Sequence, residues 1–411
     1  MTATPACRHC KAPLTRTLVD LGLSPLANSY VMPDHAHIEC PRYPLHARVC
    51  DKCLLVQVED AVPAASIFSS EYAYFSSFSD SWLRHCERYA VQMIGRFGLG
   101  PQSLVAEIAS NDGYLLQYFV ARKIPVLGIE PTANTAAVAE GRGVPTLVEF
   151  FSTALAERLV SEGVRPDLIC SANVLAHVPD INDFVRGLSI LLSGDAVYTV
   201  EFPHLKNLIE QVQFDTIYHE HYTYLSLVFL KRIFASFGMR VFDVEALQTH
   251  GGSLRVYACL EKARHETTPA VADMIAQESA AGMDRPEGYD GFTARVEQVR
   301  KDLIAFLGQA RAEGKTVAAY GAAAKGNTLL NYCGVGSGDI AYCVDRNPAK
   351  QDTLLPGSHI PVFDVERLRT ERPDYVLILP WNLRTEIASQ LADIKALGTK
   401  FVTPVPQIDI F

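Results

Sequence analysis

The sequence is short of several features that would announce a function directly. No apolar run approaches the ~18 residues that a membrane-spanning helix needs, so no segment reads as a span. Basic residues are outnumbered, 37 Lys and Arg against 46 Asp and Glu, for a net charge of −9. An acidic surface repels phosphate backbones, which argues against a general nucleic-acid binder and leaves only a local basic patch open. The opening residues, MTATPACRHC, lack the charged-then-apolar layout of a secretory signal. Ten cysteines in 411 residues fall far below the density of a disulfide scaffold, so the chain reads as cytoplasmic and reduced. What is present is a globular balance, 48% hydrophobic and 20% charged, over a length that calls for two or three domains.

Four of the cysteines are grouped by spacing, as Cys7-Arg-His-Cys10 and Cys50-Asp-Lys-Cys53. Two such knuckles can set four thiolates tetrahedrally, the arrangement Zn²⁺ prefers, and a site filled by protein on all four sides is structural. The alternatives are free thiols or a redox pair. A redox CxxC would follow a strand and open a helix, whereas these knuckles sit among Pro, Arg, His and Lys. His9 is a conceivable further ligand, and Cys40 belongs to neither pair. A module this small is expected to need its metal to fold. Cys86, Cys170, Cys259, Cys333 and Cys343 lie in apolar surroundings and read as buried packing residues.

Strand-like runs at 104–108, 124–130, 167–173 and 196–201 alternate with helical stretches, the pattern of a doubly wound α/β sheet with its ligand at the carboxyl ends of the strands. The first loop lacks the G-x-G-x-x-G that lets backbone amides reach a pyrophosphate. It carries Glu107, Asp112 and a single glycine, Gly113. Such a loop disfavours a polyanion and suits a ligand bearing an ammonium and a sulfonium, S-adenosylmethionine. Glu130, ending the second strand, is placed to accept from two ribose hydroxyls. The plainer reading is a strand-end acid in a flavodoxin-like sheet. The candidate donor-binding residues are Glu107, Ala109, Asn111, Asp112, Gly113, Glu130 and Asn173.

A dense polar run follows in Phe-Asp-Thr-Ile-Tyr218-His219-Glu220-His221-Tyr-Thr-Tyr224, with His177 just past the third strand and Tyr72 and Tyr74 ahead of the sheet as a possible lid. Carbon methylation beside a ketone needs a base for the α-proton and donors for the enolate oxygen. Histidine suits the first task, with a carboxylate to orient it, and tyrosine or a second histidine suits the other. His219 and His221 could instead be metal ligands, sharing a face in a strand and not in a helix. Satisfied core histidines in a polar loop are the remaining reading.

The C-terminal part begins with His250-Gly-Gly-Ser-Leu-Arg, a tight turn into a strand, followed by a mixed-charge helical stretch over 268–315. Then comes strand, small-residue loop and helix in Tyr320-Gly-Ala-Ala-Ala-Lys325-Gly326-Asn327. This loop has no acid and suits an anion at a helix N-terminus, though it is not a Walker loop. Asp345 ends the next strand in a ribose-like position, and Trp381 ends a third, where it could stack on a base. His204, Tyr224, Tyr320, Lys325, Gly326, Asn327, Asp345 and Trp381 are the candidate substrate contacts. NAD binding or a vestigial fold is the alternative. One sheet thus favours a cationic donor and the other an anionic nucleotide.

Taken together, the four cysteines, E-I-A-S-N-D-G-Y, E-F-P-H…F-D-T-I-Y-H-E-H-Y, H-G-G-S-L-R and Y-G-A-A-A-K-G-N resemble, over essentially the whole chain, the sugar C-3 methyltransferases that act on nucleotide-linked 4-keto-deoxyhexoses. The resemblance implies a zinc-binding module over 1–66, an S-adenosylmethionine-binding Rossmann-like methyltransferase domain over 67–246 and a Rossmann-like nucleotide-sugar domain over 247–411. It implies reaction-centre roles for Tyr218, Glu220, His221, His177 and Tyr72. On that basis His221, positioned by Glu220, is expected to remove the C3 proton while Tyr218 or His177 holds the enolate oxygen, the two histidines being interchangeable. Expected partners are a methyl donor, structural Zn²⁺ and a nucleotide-linked 4-keto sugar, with dTDP as the leading carrier, and no nucleic acid or membrane. A monomer or weak homo-oligomer is expected. O- or N-methylation, an RNA-modifying enzyme and a nucleotide-sensing binding protein are the competing readings.

Overall fold

The structure, a computed structural model, describes residues 4–61, 63 and 75–411. The described residues form three sheets. β1 (Arg16–Ser24), β2 (Tyr43–Val49) and β3 (Val56–Gln57) form an antiparallel sheet around the cysteine knuckles. β4 (Val105–Ile108), β5 (Val126–Ile129), β6 (Thr146–Leu147), β7 (Leu168–Ala172) and β8 (Val197–Pro203) are parallel in the spatial order β6-β5-β4-β7-β8. β4 is buried along its whole length, as a strand covered by helices on both faces must be. The chain then leaves this sheet, and the short β9 (Thr223–Tyr224) completes the first sheet beside β3. It returns as the hairpin β10 (Met239–Leu247) and β11 (Ser253–Leu260), with β11 antiparallel to β8. The central sheet therefore runs on to Leu260, past the junction expected between 246 and 247.

Helices Pro269–Ala280 and Phe292–Ala312 fill the predicted helical stretch and lead to the third sheet. Its strands are β12 (Val317–Tyr320), β13 (Cys343–Val344), β14 (Val362–Phe363), β15 (Tyr375–Ile378), β16 (Lys400–Thr403) and β17 (Asp409–Ile410), in the order β14-β13-β12-β15-β16-β17. All its pairings are parallel except that of β17. In both α/β sheets the strand order reverses at the first strand, β4 and β12, which opens a crevice at their carboxyl ends.

Helix Asp80–Phe97 shows how local sequence sets the frame. The Ser79 side chain accepts from the Trp82 amide at its start, and Gly98 ends it at φ 62°. It buries His85, Cys86, Tyr89, Ala90 and Met93 on one stripe against the central sheet.

Among the described residues, the N-terminal module shares its core with the rest of the chain. Leu18, Val19, Leu45 and Val49 share one apolar cluster with Val296, Leu303, Leu329 and Val402 of the C-terminal part. Cys7, Cys50, Cys53 and Leu55 share another with Tyr198, Phe229 and Ile233 of the central part. Among the described residues, no helix is long and apolar enough to cross a membrane.

Candidate active site

The two cysteine knuckles have the same backbone design. The amide of Lys11 donates to the Cys7 carbonyl and that of Leu54 to the Cys50 carbonyl, with Lys11 and Leu54 in the left-handed region at φ 60° and 67°. The four sulfurs lie within 4.8 Å of one another, with Cys7–Cys53 at 3.5 Å and Cys10–Cys50 at 3.4 Å. Gln57 Nε2 donates to Cys7 Sγ at 3.3 Å, the kind of outer contact that steadies a thiolate ligand. The set fits Zn²⁺, and among the described residues it is the only cluster of His, Cys, Asp or Glu that could hold a metal. His9 is not part of it, because its ring faces Asn182 Oδ1 at 2.7 Å. Cys40 lies 3.6 Å from His359 Nε2. The five cysteines read as packing residues are all buried.

The donor loop is strained and polar. Ala109, Asn111 and Asn173 sit at φ 57°, 47° and 58°, beside Gly113 at φ 77°. Each such non-glycine residue costs about 1–3 kcal/mol, and such strain gathers at ligand sites. Glu107 is fully buried, and among the described residues neither carboxylate oxygen completes a hydrogen bond. Burial pushes its pKa well above the usual carboxylate range, the Tyr114 hydroxyl opposes this, and Glu130 and Asp112 add to it. Ser110 Oγ and Asn173 Oδ1 are likewise buried without partners. A cationic ligand would relieve these groups, so the loop fits S-adenosylmethionine.

Two loop candidates face elsewhere. Asn111 Oδ1 accepts from the Ser76 amide at 2.9 Å, and Asp112 takes the Ser77 hydroxyl and pairs with Arg142 at 3.3 Å. They fasten the segment 75–78 to the loop. Glu130 accepts from the amides of Asn111 and Thr132 at 2.9 and 3.0 Å. Asp345 repeats the device in the C-terminal sheet, accepting from Ala322 and Asn347, both at 2.8 Å. Each acid thus staples its own loop, and a carboxylate's remaining lone pairs are what it can offer a ribose.

Residues 218–221 form a turn, neither strand nor helix, so consecutive side chains diverge. His221 Nδ1–H donates to the Thr216 carbonyl at 2.9 Å, which puts the lone pair on Nε2, and the Tyr218 hydroxyl donates to that nitrogen at 2.9 Å. His177, in the turn Leu175–His177 after β7, donates from Nδ1 to the Glu220 carbonyl at 2.8 Å. The two imidazoles meet edge to face, 4.7 Å apart. Burial holds both neutral: it pulls His177 down to about 4, and it pulls His221 well below the ordinary value with help from His177 and Lys325.

Glu220 does not orient His221 as expected. Its carboxylate accepts from Asn28 Nδ2 at 2.6 Å on the other side of the turn, and the backbone carbonyl of Thr216 does the orienting. His219 is turned to the Pro44 carbonyl at 3.1 Å and packs on Tyr43, so it cannot share a metal with His221. Tyr224 lies behind His221, ring centroids 6.2 Å apart, with its hydroxyl buried and unpartnered. Tyr72 and Tyr74 lie outside the described residues.

Several substrate candidates serve the frame instead. His204 is buried against Glu278 at 2.6 Å, and Glu278 also accepts the Leu227 and Val228 amides at the start of helix Leu227–Ser236. Tyr320 donates to Gln390 Oε1 at 3.2 Å on the far face of its sheet. A Cβ on Gly326 would sit 2.8 Å from Leu379, so this glycine allows close helix–strand packing. Asn327 Nδ2 donates to the Ala27 carbonyl at 2.7 Å and ties down the N-terminal segment. Trp381 is no open platform for a base: its indole N–H donates to Asp215 Oδ2 at 2.7 Å and Gly251 abuts its ring. Lys325 lies over that ring, 4.7 Å from its centroid, and its charge reaches His221.

In the sequence His250 stands out only as part of a turn. It sits at φ 56° with Nδ1 buried and unpartnered, its ring 5.3 Å from Trp82. The glycine pair behind it was the available signal. Asp215 and Asn382 gave none, because only the fold brings them to Lys325.

An acid-lined loop at the switch point of a parallel sheet, next to neutral imidazoles, defines an S-adenosylmethionine-dependent methyltransferase. Comparison with known proteins agrees. Residues 7–68 match a "Putative zinc binding domain" family, 82–244 a methyltransferase domain family and 248–406 a C-methyltransferase C-terminal domain family. The C-methyltransferase NovU of Streptomyces niveus is 36% identical over 401 residues, covering 98% of this chain and 95% of its own. The chain belongs to the C-methyltransferase family that includes NovU. Among solved structures, an S-adenosylmethionine-dependent methyltransferase from Clostridium acetobutylicum aligns with TM-score 0.36 and 10% identity over 43% of this chain and 92% of that one. Magnesium protoporphyrin IX methyltransferase from Synechocystis aligns with TM-score 0.34 and 13% identity over 43% and 78%.

Proposed function

We propose that this enzyme methylates C3 of a nucleotide-linked 4-keto-deoxyhexose in the reducing cytoplasm, with dTDP as the preferred carrier. The observation that carries the reading is the Tyr218–His221 pair beside His177, a base kept neutral by burial at the carboxyl edge of the donor sheet. Its relationship to a C-methyltransferase points the chemistry to carbon. Ten cysteines without a disulfide support the compartment.

A carbon beside a ketone becomes nucleophilic only after losing a proton. In the resting arrangement the lone pair of His221 Nε2 is covered by the Tyr218 hydroxyl. Rotation of that hydroxyl onto the C4 oxygen uncovers the base and supplies a donor for the developing enolate in one motion. His221 then takes the C3 proton, and the Thr216 carbonyl holds Nδ1–H so that the resulting imidazolium keeps its place. Glu107, Asn173 and Glu130 would hold S-adenosylmethionine, which when bound supplies an electrophilic methyl carbon on a sulfonium. Cys7, Cys10, Cys50 and Cys53 would hold Zn²⁺ with all four positions filled by protein, a structural role.

The test is incubation of labelled methyl donor with dTDP-, GDP- and CDP-linked 4-keto-6-deoxy sugars, reading the product by mass and methyl position. Methylation at C3 of the dTDP sugar is expected. Equal turnover of a sugar reduced at C4 would overturn the reading, because no carbon acid would then be needed.

A further inference from the structure

Asp215 is a buried charge that the chemistry above leaves unused. It is fully buried in the turn Phe214–Thr216, which leads directly into Tyr218. Trp381 donates to its Oδ2, while Oδ1 has no hydrogen-bond partner. The cation that answers it is Lys325, which among the described residues has no ion pair within 4.0 Å but donates to Asn382 Oδ1 at 2.7 Å and rests on the Trp381 ring. Asp215 and Lys325 each feel the other's charge, and the charge of Lys325 also bears on His221 and His250. Gly251 makes room for this wedge, since a Cβ there would lie 2.5 Å from the Trp381 ring.

By sequence the loop that carries Lys325 suits an anion. The neighbours of Lys325 argue against a phosphate, because a dianion entering here would meet a buried carboxylate. An ammonium has three N–H groups, and Asn382 takes one. What remains is a buried ammonium, its charge disfavoured by burial, supported by Asp215 and felt at His221, suited to a single negative charge that appears only as the proton leaves.

We propose that Lys325 is a catalytic residue that donates to the C4 oxygen as it becomes the enolate oxygen, and that Asp215, acting through Trp381, is the positioning residue that keeps the ammonium charged and aimed. This rests on the keto-sugar reading above. The C3–H bond breaks, the proton goes to His221 Nε2, the bonding pair forms C3=C4, and the π pair of the ketone moves onto the oxygen held by Lys325. Tyr218 is the second, neutral donor.

The experiment is C3-proton exchange into D₂O, followed by NMR with the dTDP-linked 4-keto-6-deoxyhexose and S-adenosylhomocysteine in place of the methyl donor. Lys325→Met is expected to lower exchange at saturating sugar by about 100- to 1,000-fold while changing sugar Kd less than about threefold. Lys325→Arg should recover part of the rate, and Asp215→Asn should lower kcat with KM nearly unchanged. Unaltered S-adenosylhomocysteine binding in each variant confirms the fold. A Lys325→Met variant that exchanges at the wild-type rate once saturated, with KM raised instead, would make Lys325 a binding residue and overturn the proposal alone. No exchange by the wild-type enzyme would overturn the keto-sugar reading as well.

Discussion

His221 owes its chemistry to what surrounds it more than to its own ring. Burial disfavours the imidazolium, so the base form persists well below pH 6.5. The acid limb of kcat/KM should therefore fall below pH 6.5, and a rate profile that drops between pH 7 and 6 would contradict this. His177 and His250, both pulled down to about 4 by burial, carry a stability consequence of the same sign. At these two positions the unfolded chain binds more protons than the folded one below about pH 6.5, so their contribution to stability should decline from there to about pH 4 and then level off. Thermal melts across that range check it. His221→Asn should reduce both C3 exchange and methylation by at least about 100-fold, the usual weight of a general base. Glu107 runs the other way. A cation beside it favours the carboxylate, so donor binding should release a proton, and Glu107→Gln should weaken binding by about tenfold or more. Calorimetry in buffers of different ionisation enthalpy reads both.

At the scale of elements, the turns carry more of the site than the strands do. The strand-and-loop pattern around Glu107 and Glu130 was legible because period and composition are local properties. The orientation of Glu220 was not, because a four-residue turn sends neighbouring side chains to opposite sides and nothing in Y-H-E-H says which. Gly326 shows the same limit: a glycine in a small-residue loop reads as room for phosphate until Leu379 is seen against it. Gly251 joins two elements far apart in sequence. It sits at φ 88° with Trp381 pressed on it, so Gly251→Ala should cost about 1–3 kcal/mol and free the indole from Asp215. Trp381 fluorescence, read in a Trp82→Phe background, should shift, since these are the only two tryptophans in the chain.

Across the whole molecule, the cysteine site and the histidine site are mechanically linked. β3 follows the second knuckle by two residues and pairs with β9, which follows His221 by one. The same sheet shares its core with the C-terminal part, and the sulfurs share theirs with the central part. Removing the metal should therefore do more than loosen the first residues. Chelation, or Cys50→Ser, is expected to abolish methylation and lower the main thermal transition together. An active enzyme with only a small early transition would show the module to be separable.

Chain order and composition determined the chemistry available: four thiolates in two knuckles, an acidic loop with one glycine, and a histidine–tyrosine run. Those are matters of spacing within a few residues, where backbone geometry leaves little choice. Only the tertiary structure decided which groups meet. Thr216 rather than Glu220 orients the base, Asp215 faces Lys325 across Trp381, and His204 and Asn327 are spent on the frame. Such pairings join residues far apart in the chain, and burial decides which polar groups must find a partner and which are left for a ligand.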